Sequence, residues 1–268
     1  MANQERVRIG RVALDPLTMD EALAAIERLV LRREGGAVFT PNVDHVVVAD
    51  RRRDFGDAYA RAELVLCDGQ PLVWASRLLG RRIPEKVSGS DLFLPLMSLA
   101  AARGFRVFLL GAGPGVAEEG ARRLERELGV TIAGWDASRI GTAPSPDDDR
   151  VVERIVGTRP DLVAAFLGAP KSELWSDRTR ARIRPAVVVN LGASLDFYLG
   201  RVRRAPRWMR RAGLEWFYRL AQEPRRLARR YLLDDPRFLA ILLRTVRDRR
   251  RGSAPAGSAR DGSEGPGG

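Results

Sequence analysis

Three short runs, RVFLLGAG from residue 106, DLVAAFLGAP from 161 and AVVVNLGAS from 186, are apolar at almost every position. Strict alternation would mark a strand with one wet face. Continuous apolarity over so few residues marks a strand covered on both faces, which a parallel sheet between helical layers provides. Parallel strands cannot be joined by tight turns, so each needs a crossover, in practice a helix. VRIGRVAL, GAVFTP, AELVLCD and VTIAGW read as further strands, and amphipathic stretches such as MDEALAAIERLVLRR stand between most of them. That stretch is opened by a capping box from Thr18 to Glu21. The expectation is an α/β fold: a Rossmann-like, mostly parallel sheet flanked by helices over residues 1–200.

Charge divides the chain differently. The 268 residues carry a net charge of +12, and residues 201–251 hold 17 arginines against five acids, which accounts for the whole excess. The arginines are interleaved with Trp208, Met209, Trp216, Phe217 and Tyr231. This pattern predicts a basic, amphipathic helical appendage that meets an anionic surface, lipid or nucleic acid. Residues 252–268, rich in Gly, Ser and Pro, read as a disordered tail. A single cysteine, Cys67, excludes a disulfide within the chain and points to a reducing cytoplasm. The N-terminus lacks the apolar core of a secretory signal, and no run approaches the roughly 20 apolar residues of a membrane span.

Open parallel sheets bind ligands beyond the carboxyl ends of their strands. The residues to weigh are therefore TPN at 40–42, CDGQP at 67–71, GAGPG at 111–115, GAPKSE at 168–173 and NLGASLDF at 190–197. GAGPG either cradles a phosphate on backbone N–H groups or makes a tight turn; its spacing is not the dinucleotide pattern. Asp68 is either a general base for a sugar hydroxyl or a turn aspartate capping the helix from Gln70. His45, the only histidine, reads as a solvated or structural residue on a helix flank, and without a second histidine a serine triad has little to draw on. Cys67 reads as a buried strand-end residue. SPDDDR at 145–150 contains an Asp-x-Asp pattern, yet acids in the first turn of a helix explain it without a metal. No Cys/His constellation has metal spacing, so no metal and no cofactor are expected.

Read together, TPNVDHVVVA, AELVLCDGQPLVWASRLLGRRIPEKVSGSDL, VFLLGAGPGVAEE, LGAPKSELW, NLGASLDFYLGRVRRAPRWMRRAGLEWFYRL and QEPRRLARRYL resemble, in order and spacing, the WecG/TagA/CpsF family of bacterial glycosyltransferases, from about residue 8 to 245. The resemblance implies an inverting transferase. It would move an N-acetylmannosamine-type sugar from a UDP donor to a polyprenyl diphosphate-linked sugar, without a metal, in cell-surface polysaccharide biosynthesis such as teichoic acid linkage units. The implied location is the cytoplasm, peripheral on the inner face of the cell membrane. Asp68 falls on the family's proposed catalytic base, and Thr40 and Asn42 on polar positions of the same pocket. Asp196 matches an acid at the uracil end of the donor. Gly111 and Gly113 would let the backbone approach the diphosphate. Arg219, Arg226 and Arg229 match tail arginines over the substrate diphosphate, helped by Lys86.

Lys86 stands where the family usually has arginine, keeping the charge without the bidentate fork. Ser172 stands in place of a glutamine. Residues 135–140, WDASRI, have no counterpart to a family donor-contacting stretch. Lys86 and Ser172 motivate a catalytically silent member as one alternative. A nucleic-acid-binding module with a basic aromatic tail is another, but it leaves Asp68 and Asp196 without purpose, so an anionic membrane surface is the expected partner and nucleic acid is not. Apolar tail surface suits self-association as well as lipid, so a homo-oligomer stays open.

Overall fold

A computed structural model of the chain describes residues 5–202, 205, 206, 209, 218 and 235–252. It opens with a hairpin of β1 (Val7–Ile9) and β2 (Val12–Leu14), followed by α1 (Met19–Arg32) and β3 (Gly36–Phe39). Next come α2 (Val43–Arg51), α3 (Arg53–Arg61), β4 (Leu64–Val65), α4 (Gln70–Leu78) and α5 (Gly89–Arg103). Then β5 (Arg106–Gly111), α6 (Val116–Leu128), β6 (Thr131–Asp136), α7 (Pro146–Thr158) and β7 (Leu162–Phe166) alternate. The described chain closes with α8 (Lys171–Thr179), β8 (Val187–Asn190), α9 (Ser194–Tyr198) and α10 (Asp235–Gly252).

Strands β3 to β8 form one six-stranded sheet in the order β4-β3-β8-β7-β5-β6, with every neighbour parallel. The α/β expectation is met. All residues of β3, β7 and β8 are buried, as is β5 after Arg106, which is why their sequences are apolar throughout. One layer packs α1, α5 and α6 against the sheet around Phe93, Leu96 and Leu109. On the other face, Phe39, Phe55 and Tyr59 meet edge to face at centroid distances of 5.2 Å. Helix α1 starts as its sequence predicts: Glu21 N–H donates to the Thr18 hydroxyl (3.3 Å), while the Glu21 carboxylate accepts from Thr18 N–H (2.9 Å).

VRIGRVAL, read as one strand, is instead a hairpin. Gly10 turns the chain at φ +58°, and its missing side chain admits helix α10: a Cβ there would lie 2.8 Å from Ile241 Cγ2. Gly10 N–H also donates to the Thr245 hydroxyl (3.0 Å). Phe238, Ile241 and Leu242 of α10 are buried with Val7, Ile9 and Val46. The Asp-rich segment at 147–149 lies in the first turn of α7, where Asp148 is buried and paired with Arg178 (Nε to Oδ2, 2.8 Å). That is a structural use of the acid.

Candidate active site at the carboxyl ends of the strands

Backbone hydrogen bonds beyond the strands align the sheet's carboxyl ends. Leu66 N–H donates to Phe39 C=O (2.8 Å), Asp68 N–H to Pro41 C=O (2.9 Å) and Leu191 N–H to Ala165 C=O (2.9 Å). The Thr40 hydroxyl donates to Asn190 C=O (3.1 Å). The loops after β3, β4, β7 and β8 thus converge on a cleft of about 130 Å³. Thr40, Asn42 and Asp68 line it together, facing Ser172, Glu173 and Asn190.

Asp68 is held where a strand becomes a helix. The N-cap of α4 is Gly69, at φ 149°, and Pro71 sits in the first turn, so Asp68 stands one residue outside the cap. Its carboxylate acts on its neighbours. Burial pushes the Cys67 thiol far up, and the Asp68 charge pushes it further, against a smaller opposing effect of Lys86. Burial likewise raises the Tyr59 phenol well above its usual range, with the carboxylates of Glu173 and Asp68 adding to it. Cys67 is buried and inert.

Lys86 reaches this corner because Val87 N–H donates to Cys67 C=O (2.8 Å). Its ammonium lies 3.1 Å from Asp91 Oδ2, and Asp91 also accepts the Ser88 hydroxyl (2.7 Å). Gly111 ends β5 at φ +87°, and a Cβ on it would meet Leu167 Cδ2 at 2.6 Å; Leu167 itself lines the cleft. Gly113 follows in the loop before α6, whose N-cap is Gly115. Neither glycine is among the lining residues. Asp196 lies in the first turn of α9, where its C=O accepts from Arg201 N–H (2.9 Å); the adjacent Phe197 lines the cleft. Arg219, Arg226 and Arg229 lie outside the described residues.

His45 and Glu173 line the cleft as well, and neither was singled out as a site residue from the sequence. Asn42 caps α2 by accepting Asp44 N–H (3.0 Å), and its own N–H donates to His45 Nδ1 (3.3 Å). The His45 ring stacks on Phe55, centroids 6.1 Å apart, and its Nε2 lies 3.5 Å from Oε1 of Glu173. Of the solvated and structural readings of His45 the structural one fits, since the ring completes the capping box of α2; the side chain is only 13% exposed in the cleft wall, beside a Glu173 side chain that is 5% exposed. The clue in the sequence was the Asn-x-x-His spacing of a capping box, which fixes the His45 ring over the first turn. Nothing local marks Glu173, because its partner is 128 positions away.

Among the described residues, no group of His, Cys, Asp and Glu is placed to hold a metal ion, and no helix is long and apolar enough to cross a membrane. The model of the Glycosyl transferase WecG/TagA/CpsF family matches residues 7–252. The N-acetylglucosaminyldiphosphoundecaprenol N-acetyl-beta-D-mannosaminyltransferase of Bacillus subtilis strain 168 is 31% identical over 217 residues, covering 81% of this chain and 82% of that protein. The enzyme of the same name from Bacillus spizizenii is also 31% identical, with the same coverage. A match over nearly all of the described fold, with relatives of this identity, settles the kinship: the chain belongs to the WecG/TagA/CpsF glycosyltransferase family.

Proposed function

We propose that the protein is a hexosyltransferase that moves an N-acetylmannosamine-type sugar from a UDP donor to a polyprenyl diphosphate-linked sugar, inverting the anomeric centre. The observation that carries this reading is the meeting of Asp68 with Thr40 and Asn42 in one cleft at the strand ends, in a chain whose relatives are named N-acetylmannosaminyltransferases of N-acetylglucosaminyldiphosphoundecaprenol. In the proposed step, the Asp68 carboxylate takes the proton of the acceptor hydroxyl as that oxygen attacks the anomeric carbon. The new glycosidic bond forms on one face while the bond to the UDP oxygen breaks on the other. General base assistance of this kind contributes roughly 10²–10⁴-fold.

The departing diphosphate gains charge, so cations near it are effective in a site with little water. Lys86, close enough to Cys67 to act on its thiol, is one candidate, and Arg219, Arg226 and Arg229 are the further ones. Gly111 and Gly113 are assigned to the diphosphate and Asp196 to the base of the donor nucleotide. The proposed setting is the inner face of the cell membrane, where a lipid-linked acceptor and a nucleotide-sugar donor would meet, in cell-surface polysaccharide biosynthesis. Support for docking comes from the outer face of α10, where Leu239 and Leu243 are 58% and 69% exposed one turn apart, beside the exposed Arg247 and an Arg244 that also pairs with Asp50. Interfacial leucines with flanking arginines favour an anionic bilayer by about 1 kcal/mol per charge.

The test is a donor screen with short-chain polyprenyl diphosphate N-acetylglucosamine as acceptor, read by mass spectrometry of the lipid. A product one N-acetylhexosamine heavier, absent with Asp68→Asn, is expected. No transfer by wild type from any UDP-sugar would overturn the reading.

A further inference from the structure

The cleft has a wall that its own chain leaves half satisfied. Ser172, Glu173 and Asn190 are 1%, 4% and 3% exposed, and all three line it. Ser172 Oγ, Glu173 Oε2 and Asn190 Nδ2 are buried with no hydrogen-bond partner among the described residues. Tyr59 OH and Trp175 Nε1 share that condition but do not line the cleft. The other half of two of these groups is fixed: Asn190 Oδ1 accepts the Ser176 hydroxyl (3.0 Å), and Glu173 Oε1 faces His45 Nε2 at 3.5 Å. These contacts orient the amide and the carboxylate and leave one atom of each for a ligand. Buried polar atoms are so rarely left unpaired that three on one wall call for a partner.

The chemistry of that partner follows from the inventory. A carboxylate oxygen accepts only, so the ligand must donate to it; the Asn190 amide nitrogen donates only, so the ligand must also accept; the Ser172 hydroxyl does either. A diphosphate fails this test, because it cannot donate and would face two carboxylates, Glu173 and Asp68, in one cleft. Adjacent hydroxyl and acetamido groups pass it, and a space of about 130 Å³ is on the scale of a sugar ring rather than a whole sugar nucleotide.

Resting on the transferase reading, we propose that Ser172, Glu173 and Asn190 form the subsite that grips the pyranose ring of the donor, with Glu173 as the specificity-determining residue. The ring's hydroxyl or amide proton goes to Glu173 Oε2, and its acetamido or hydroxyl oxygen accepts from Asn190 Nδ2. Ser172 supplies a short contact that leaves space for a bulky ring substituent.

Calorimetry on the full chain tests this with UDP alone, UDP-N-acetylmannosamine and short-chain polyprenyl diphosphate N-acetylglucosamine, comparing wild type with Glu173→Gln and Ser172→Ala. Ser172→Ala removes an unpaired hydroxyl and breaks no bond within the protein, so its folding is not in question. Both variants should bind the sugar nucleotide roughly tenfold or more weakly, as expected for a lost buried hydrogen bond, while binding UDP as wild type does. A loss confined to the lipid-linked sugar overturns the assignment to the donor ring. Binding of both sugars unchanged in both variants overturns the proposal and leaves the transferase reading standing. Wild type that binds neither sugar ligand overturns both.

Discussion

The hydroxyl of Thr40 donates a 3.1 Å hydrogen bond to the backbone carbonyl of Asn190, joining the ends of β3 and β8 across the floor of the cleft. Thr40→Val keeps the shape and removes the donor, leaving that carbonyl without this partner. The expected cost is about 1–2 kcal/mol. Thr40→Ser should recover most of it. Urea unfolding of the three proteins measures the difference, and equal midpoints for Thr40→Val and wild type would show that the tie contributes nothing.

Asp68→Asn should leave the fold alone, since the backbone bond from Asp68 N–H to Pro41 C=O is kept. Under the proposed mechanism kcat falls roughly 10²–10⁴-fold, the range of general base catalysis. Steady-state kinetics with the donor and lipid acceptor, alongside a thermal melt, separate loss of chemistry from loss of structure.

Gly111 and Gly129 both take positive φ, +87° and +67°, but a Cβ on Gly111 meets Leu167 Cδ2 at 2.6 Å whereas one on Gly129 meets open space. Alanine at Gly129 carries only the left-handed backbone cost, about 1–2 kcal/mol. Alanine at Gly111 adds a clash inside a packed core, typically a further 1–3 kcal/mol, and displaces a residue of the cleft wall. Guanidinium unfolding should therefore rank Gly111→Ala well below Gly129→Ala, and turnover should fall only in the former.

Ile241 and Leu243 sit two residues apart on α10, at 4% and 69% exposure. Ile241→Ala should cost about 2–5 kcal/mol through the cavity beside the β1–β2 hairpin. Leu243→Ala should stay within about 0.5 kcal/mol. If the helix does not pack on the hairpin in solution, the two variants will melt alike.

Cys67 is buried, and its thiol is shifted upward by burial first and by the Asp68 charge second. A raised thiol pKa means that the reactive thiolate is scarce at pH 8. Iodoacetamide at that pH should leave the native protein unmodified and add one carboxamidomethyl group once denaturant is present, as intact mass will report.

The central sheet was legible because burial on both faces writes itself into local composition: β5, β7 and β8 could hardly be anything else. The capping box at Thr18 was legible for the same reason, its partners being three residues apart. The hairpin was not, because the turn at Gly10 is paid back by Ile241 and Thr245, far along the chain. The candidate site divides similarly. Asp68, Thr40 and Asn42 stand at strand ends, where topology directs attention. Glu173 sits on a helix with little amphipathic contrast, and its meaning arises only when α8 brings it to His45.

The shared core of the hairpin and α10 also bears on how the polypeptide emerges. Val7, Ile9, Val12 and Leu14 are synthesised more than two hundred residues ahead of Phe238, Ile241 and Leu242, which complete their enclosure. Contacts of such long range are slow to form and keep greasy surface uncovered meanwhile. A nascent chain stalled anywhere short of α10 would present that open face to chaperones, so α10 acts as a seal on work begun more than two hundred residues before.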